Sequence, residues 1–455
     1  MTLYRLLAVP ARLALRVYFR RLVLSGRLDL PPSGPLILAA NHPNSLVDAL
    51  AMGWACERPV QFLARSGLFT NPVLGRILRA AGGIPVYRRL DNPAEMGRNE
   101  ESFREAHRVL AEGGVIGIFP EGISHEELLL KQLKTGIARI ALAVEREHGW
   151  ALGLRIVPVG LDFTDRASFR SDLFIRVGEP IEVRDWRDAY STDPAGAVRA
   201  LVEEVAGRIE ALVVTVRHEN APALLRDIET TFGTELAGGS DDGRARQALR
   251  HRLALALTHF HAEDPAAAQR IRAELDAYLE TLRRHRISDE AIRRAEGAGG
   301  GLRLTASSLA RLTAAALALP AALWGTLVNL IPWLLTDLSG RRARTPASAT
   351  MVSTAKILTG LVAYPAAHAL LFWGGYRWRG PAAAALIVLS GAACGVIALA
   401  FLRALGRLRT DAAALRLTLM SRGLSRRLRR QRLELLRSLE RHRDEFEARS
   451  GAAPR

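Results

Sequence analysis

A histidine and an aspartate lie close together just past a short apolar run, and they are the residues most able to do chemistry. They belong to Asn41-His42-Pro43-Asn44-Ser45-Leu46-Val47-Asp48, which follows Leu36-Ile37-Leu38-Ala39-Ala40 directly. An Asp that accepts from one imidazole nitrogen fixes the tautomer. The other nitrogen can then take a hydroxyl proton. The same two residue types also serve as cap and turn residues, and their spacing alone does not separate the readings.

Further blocks follow in order. Gly82-Gly83-Ile84-Pro85-Val86-Tyr87-Arg88 reads as a glycine-led strand ending in a guanidinium, a group that binds phosphate bidentately. Phe119-Pro120-Glu121-Gly122-Ile123-Ser124-His125 comes at the end of the apolar run Val115 to Phe119. Lys134-Thr135-Gly136 opens a helix, and Val157-Pro158-Val159-Gly160 sits in a fourth strand.

These blocks need elements to position them. The runs Leu36–Ala40, Val115–Phe119, Ile156–Leu161 and Leu173–Val177 are short and continuously apolar, as buried strands are. Helical patterns over Glu100–Glu112 and Gln132–His148 lie between them. Alternating strands and helices predict an α/β domain with a mostly buried sheet flanked by helices, over residues 31–215. Residues 1–30 carry Arg5, Arg12, Arg16, Arg20 and Arg21 among Leu, Val, Tyr and Phe. They read either as an amphipathic helix in a membrane interface or as an ordinary surface helix. Residues 216–305, from about Asn220, are rich in Ala, Leu, Arg and Glu. They predict a solvated helical arm broken at Gly238-Gly239 and at Gly299-Gly300-Gly301.

Residues 306–403 hold three charge-free stretches, Leu312–Thr336, Ile357–Tyr376 and Gly380–Leu402. A spanning helix needs roughly 20 apolar residues, and each stretch is long enough. Arg341, Arg342 and Arg344 follow the first stretch. A basic helical tail at 404–455 follows the third, with Arg422, Arg426, Arg427, Arg429 and Arg430. Positive loops favour the cytoplasm. A re-entrant first segment bent at Pro320 or Pro332, with a hairpin of the other two turning at Arg377-Trp378-Arg379, puts both basic regions and the α/β domain inside.

Composition narrows the partners. The 455 residues carry a formal net charge of +17, with 49% hydrophobic and 24% charged residues. Such a basic balance suits an anionic partner, a nucleic acid or a membrane leaflet. Aromatic residues are only 6%, with no basic stripe interleaved with stacking rings, so no nucleic acid is expected. Cys56 and Cys394 lie in very different segments and have no C-x-x-C partner, so neither a disulfide framework nor a thiolate zinc site is expected. The Arg-interrupted N-terminus does not read as a cleavable signal.

Taken together, the ordered blocks resemble the phospholipid/glycerol acyltransferase family, whose members carry N-H-x-x-x-x-D, G-x-I-x-x-x-R, F-P-E-G-T-R-S and a V-P-V strand in that order. The resemblance covers about residues 20–215. Two departures stand out. Five residues rather than four separate His42 from Asp48, and Ser124 replaces the usual Arg. Both are features of a branch typified by fungal glycerol-3-phosphate and dihydroxyacetone-phosphate acyltransferases. That branch also shows L-K-x-G, F-R-S and G-x-P-I, matched by Leu133-Lys134-Thr135-Gly136, Phe169-Arg170-Ser171 and Gly178-Glu179-Pro180-Ile181.

The resemblance implies a membrane-bound enzyme of phospholipid synthesis. His42 is the general base on an acceptor hydroxyl and Asp48 holds it. Asn44, Arg88, Glu121, Gly122, Ser124, Lys134 and Arg170 bind the acceptor, with Arg88 foremost for the phosphate and His125 beside Ser124 able to cap or to assist. The donor is acyl-CoA or acyl-carrier protein, itself a substrate, so no cofactor is implied. Acyl transfer needs no covalent acyl-enzyme, and Cys56 reads as a buried core residue. His42, Asp48, Glu121 and His125 can also be read as a metal set, but the block order argues against it and no metal is expected. The expected acceptor is glycerol-3-phosphate or dihydroxyacetone phosphate, with 1-acylglycerol-3-phosphate as the alternative. An inactive membrane-anchored binding protein is a remote third reading. Membrane lipids are the remaining partner.

Overall fold

The computed structural model describes residues 2–450 apart from 27–29, 89–92, 217, 219–220, 240–241, 297–299, 346–348 and 421. Two compact units emerge: Met1–Thr215 with Ser339–Leu358, and Val216–Leu338 with Thr359–Arg455.

The first unit begins with α1 (Thr2–Tyr18) and β1 (Arg21–Ser25), followed by β2 (Leu36–Ala40), α2 (Leu46–Ala55), β3 (Val60–Arg65), α3 (Pro72–Ala80) and β4 (Ile84–Val86). Then come α4 (Asn99–Ala111), β5 (Val115–Ile118), α5 (Gly136–Glu147), β6 (Arg155–Phe163), β7 (Asp172–Val177), β8 (Ile181–Glu182), α6 (Arg187–Thr192) and α7 (Pro194–Leu212). The sheet order is β1-β7-β6-β2-β5-β3-β4, with β8 pairing β6. Strands β6, β2, β5, β3 and β4 run parallel, while β7 is antiparallel to β6 and parallel to β1.

All five residues of β2 are buried, because both faces of the sheet are covered. Alternate side chains point to opposite faces. Ile37 and Ala39 join Ile116, Ile118 and Ile156 against Leu110, Ile137, Ala141, Leu201 and Val205 of α4, α5 and α7. Leu36, Leu38 and Ala40 fill the other face. Each fully buried Leu or Ile contributes about 1.5–3 kcal/mol, so β2 is a firm anchor for the loop that follows it.

The helix expected over residues 1–30 ends at Tyr18, and 21–25 form an edge strand of the sheet. The cause is Asp172, fully buried and out of reach in sequence: Arg20 Nε and Nη2 donate to its two oxygens at 2.9 and 2.6 Å. Arg20 N–H also donates to Ser171 O at 2.8 Å. A further addition is Ser339–Leu358, which sequence alone assigns to the membrane region.

The second unit contains α8 (Ala221–Leu236), α9 (Gly243–Glu263), α10 (Pro265–His285), α11 (Asp289–Glu296), most of α12 (Gly300–Ala343) and of α13 (Val352–Arg379), α14 (Pro381–Met420) and α15 (Arg422–Ser450). The expected solvated arm is instead a bundle with its own core, including Leu224, Ile228, Phe232, Leu249, Leu275 and Tyr278. Helix α15 closes it: Arg432, with a side chain only 3% exposed, pairs with Glu235 at 2.6 Å and Asp289 at 2.9 Å. The chain does break at Gly238 and Gly239, both with positive φ. Of the second expected break, Gly299 lies outside the described residues, whereas Gly300 and Gly301 begin α12. Asn220 is likewise outside them.

Three helices, Ser308–Ala343, Ala349–Arg379 and Pro381–Leu417, are long and apolar enough to cross a membrane. Helix α12 continues through both Pro320 and Pro332. Each proline withholds one N–H, and packing on either side carries the helix past the gap. That packing is antiparallel against α14. Val328 meets Gly391, Trp324 Nε1 donates to Ser390 Oγ at 3.1 Å, and Asn329 Nδ2 donates to Gly391 O at 3.1 Å. Arg294 and Arg311 both clamp the buried Asp411.

Candidate active site

The blocks singled out in sequence stand at the C-terminal ends of adjacent parallel strands, the usual place for a ligand site in an open α/β sheet. Past β2, His42 Nδ1 lies 2.9 Å from Asp48 Oδ2. Asp48 is in the first turn of α2 and fully buried. The same oxygen accepts Asn44 N–H at 2.6 Å. Burial pushes the Asp48 carboxyl above the usual carboxylate range. The hydrogen bond and charge of His42, the Asn44 N–H and the charge of Arg166 each oppose that rise.

The extra residue between His42 and Asp48 is absorbed at Ser45. Its backbone takes φ 50° and ψ −126°, a conformation worth about 1–3 kcal/mol of strain outside glycine. Val47 N–H donates to Asn44 O at 3.1 Å across this turn. The turn rotates α2 so that Asp48 faces the ring. The His42 ring stacks on Phe119, with centroids 4.1 Å apart and planes 12° apart, and Phe119 in turn stacks on Phe62 at 6.2 Å. Two phenyl rings, Phe62 within β3 and Phe119 just past β5, thus back the imidazole plane.

Glu121 was expected to meet acceptor hydroxyls, but the protein itself occupies its carboxylate. Oε1 accepts His42 N–H at 2.8 Å. Oε2 lies 2.6 Å from His125 Nε2 and accepts Lys131 N–H at 2.8 Å. Residues 121–131 form no helix or strand, so their polar groups need such partners. Glu121 therefore ties this loop to the backbone of His42. Gly122, at φ +73°, lets the chain turn there, and its carbonyl accepts Arg88 Nη1 at 2.6 Å. Ser124 Oγ lies 3.2 Å from Ser45 Oγ. Lys134 N–H donates to Pro120 O at 2.7 Å, and its exposed side chain passes beside Gly122.

Two expected ligand residues stand elsewhere. Asn44 is 1% exposed, and its amide donates to Arg166 O at 3.3 Å, so it braces the site from beneath. Arg170, at φ 68°, donates from its backbone N–H to Tyr18 O at 2.7 Å and from Nη1 to Val17 O at 3.4 Å, at the end of α1.

Sequence reasoning missed Arg166. It lines a pocket with Asn41, His42, His125, Leu161 and Asp162, and its Nη1 donates to His125 O at 3.0 Å. The nearest signal was its place four residues before Arg170 in the β6–β7 connection. Among the described residues no group of three or more His, Cys, Asp or Glu is placed to hold a metal ion. Cys56 is buried and free, and burial raises its thiol.

Residues 21–162 match the Acyltransferase family. Glycerol-3-phosphate O-acyltransferase 1 of Saccharomyces cerevisiae is 28% identical over 200 residues, which are 42% of this chain and 25% of the yeast protein. The chain thus aligns with about a quarter of that relative's length. 1-acyl-sn-glycerol-3-phosphate acyltransferase of Bacillus subtilis is 27% identical over 117 residues, 25% of this chain and 55% of that protein. The crystal structure of the 1-acyl-sn-glycerophosphate acyltransferase PlsC from Thermotoga maritima aligns with a TM-score of 0.35 at 22% identity, covering 46% of this chain and 79% of that one. The match to the Acyltransferase family runs from β1 into β6 and encloses the His42–Asp48 pair.

Proposed function

We propose that this chain is a membrane-held O-acyltransferase of phospholipid synthesis. It moves a fatty acyl group from a coenzyme A or acyl-carrier-protein thioester to glycerol-3-phosphate or dihydroxyacetone phosphate. The observation that carries this reading is the His42–Asp48 pair at 2.9 Å, on the rim of the pocket that Arg166 shares. Asp48 accepts from Nδ1–H, which leaves Nε2 to take the acceptor's hydroxyl proton. The acceptor oxygen forms a bond to the thioester carbonyl carbon, the carbon–sulfur bond breaks, and the departing thiolate takes the proton from His42. Acceptor phosphate needs cations. Arg88 lies on one side of the Glu121 loop. Arg166 lies on the other and offers a guanidinium where Ser124 has replaced the family's Arg.

Membrane placement has physical support beyond the three long helices. Leu6, Val9, Leu13 and Val17 are 52–69% exposed along one stripe of α1, the pattern of a helix lying in an interface. Arg341 and Arg342 in the last turn of α12, and Arg344 just after it, share a compact unit with the His42 pocket. Basic connections favour the cytoplasmic face, and the active site goes with them.

The Ser124 replacement, the Phe169-Arg170-Ser171 triplet and the yeast relative favour a soluble glycerol-phosphate acceptor. The bacillus relative favours 1-acylglycerol-3-phosphate as a second reading. The test offers purified, detergent-solubilised full chain each labelled acceptor separately, with acyl-CoA and then with acyl-carrier protein. Product from glycerol-3-phosphate or dihydroxyacetone phosphate supports the proposal. Product from the lysolipid alone moves the assignment to the second reading, and no product from any pair removes acyl transfer.

A further inference from the structure

The start of α13 touches the α/β unit where the reaction itself gives no reason for contact. Ser353 is fully buried, and its hydroxyl donates to Arg166 O. One residue on, Ala167 O accepts Lys356 Nζ at 2.9 Å and the Tyr18 hydroxyl at 3.1 Å. Burial pushes the Tyr18 phenol up to about 12, so it remains a donor at neutral pH. Thr350 Oγ1 lies 3.1 Å from Ser45 Oγ, at the strained turn of the His42 loop. Lys356 is one of three lysines in a chain otherwise charged by arginine. A slender stem ending in a compact ammonium suits a reach from the first turns of an apolar helix to a single carbonyl.

These bonds converge on two consecutive carbonyls, at 166 and 167. Four donors hold them, from Asn44, Tyr18, Ser353 and Lys356. No helix or strand of the β6–β7 connection fixes that backbone, so its geometry depends on these bonds. The side chain carried there is Arg166, the pocket guanidinium bound to His125 O.

We propose that Ser353 and Lys356 are positioning residues for Arg166, so that acceptor binding depends on the seating of the α12–α13 connection. The kinetic part of this inference rests on the acyl-transfer reading above, and the structural part does not. Loosening the clamp leaves His42 and Asp48 in place and displaces the cation that meets the acceptor. Its signature is therefore a change in acceptor KM with kcat and donor KM held.

The test uses full-length protein in phosphatidylcholine–phosphatidylglycerol nanodiscs, with Ser353→Ala, Lys356→Met, Lys356→Arg and Arg166→Ala. Loss of one hydrogen bond of this kind raises acceptor KM about tenfold in Ser353→Ala and Lys356→Met. Lys356→Arg, still a donor, recovers most of it. In the Arg166→Ala background, Ser353→Ala adds nothing, because its effect passes through that side chain. Hydrogen exchange at residues 164–168 speeds up in both Ser353→Ala and Lys356→Met. Full additivity with Arg166→Ala, or an unchanged acceptor KM, overturns the proposal. Should the wild-type protein transfer no acyl group, the functional reading fails by itself. Exchange at 164–168 then decides the clamp: faster exchange in the two variants upholds it, and unchanged exchange overturns it.

Discussion

Asp48→Asn separates the charge of the dyad from its geometry. One oxygen, Oδ2, receives both Asn44 N–H at 2.6 Å and His42 Nδ1 at 2.9 Å, while Oδ1 is buried with no hydrogen-bond partner. An asparagine must keep its oxygen at the Oδ2 position, since an amide NH2 there would face the Asn44 N–H. The tautomer of His42 is therefore preserved, and what is lost is negative charge. Unit charges 2.9 Å apart at an effective dielectric of about 20 attract by ~6 kcal/mol. Half-developed charge on the ring in the transition state makes this ~3 kcal/mol, or ~10²-fold in kcat. The amide NH2, buried where Oδ1 was, separately lowers stability by about 1–3 kcal/mol. The assay is kcat for acyl transfer, with thermal denaturation beside it. A kcat within threefold of wild type would refute the dyad, and a loss beyond about 10³-fold would refute the charge-only reasoning.

Three other outcomes are expected. Because burial raises the Asp48 carboxyl, its protonation contributes to the fall of kcat/KM on acidification, and Asp48→Asn removes that contribution. A raised group contributes stability that is fully present below its unfolded pKa and is lost as pH rises through the folded one. Thermal stability and activity therefore move in opposite directions across this window, as paired melting and rate profiles would reveal. Gly117→Ala drives a methyl into the Phe62 ring, which stacks on Phe119 beneath His42. It lowers stability by about 1–3 kcal/mol in denaturant titration and reduces kcat through the tilted imidazole.

Much of this was legible in sequence, and particular elements show why. Strands β2, β5, β6 and β7 are buried on both faces, so their residues form continuous apolar runs. Helices α4 and α5 carry ordinary helical spacing. Strand β1 was hidden because Arg20 precedes it and Arg21 opens it, and their partner Asp172 lies far along the chain. The His42–Asp48 pair could be named from its block, but its geometry depends on the backbone of Ser45, a residue type that gives no notice of a positive φ. Glu121 was named for its chemistry, and only the fold reveals that its carboxylate meets His42 N–H, His125 Nε2 and Lys131 N–H. Arg166 had no motif of its own. It becomes a site residue only through contacts with Asn44, His125 and Ser353, each remote in sequence. The bundle of α8–α11 with α15 read as solvated because its helices are rich in charge, although Ile271, Leu275, Tyr278 and Leu282 form an apolar stripe on α10, and buried ion pairs such as Arg432 with Glu235 share in closing it.

His42→Ala asks whether His42 removes the acceptor's proton. Acyl transfer from a long-chain thioester to glycerol-3-phosphate would be measured beside acceptor binding by calorimetry, on wild-type and variant full chains in the same detergent. A lost general base predicts a fall in kcat of about 10²–10⁴ with acceptor affinity and melting temperature preserved. A variant that binds the acceptor and turns over within a few-fold of wild type would contradict the account.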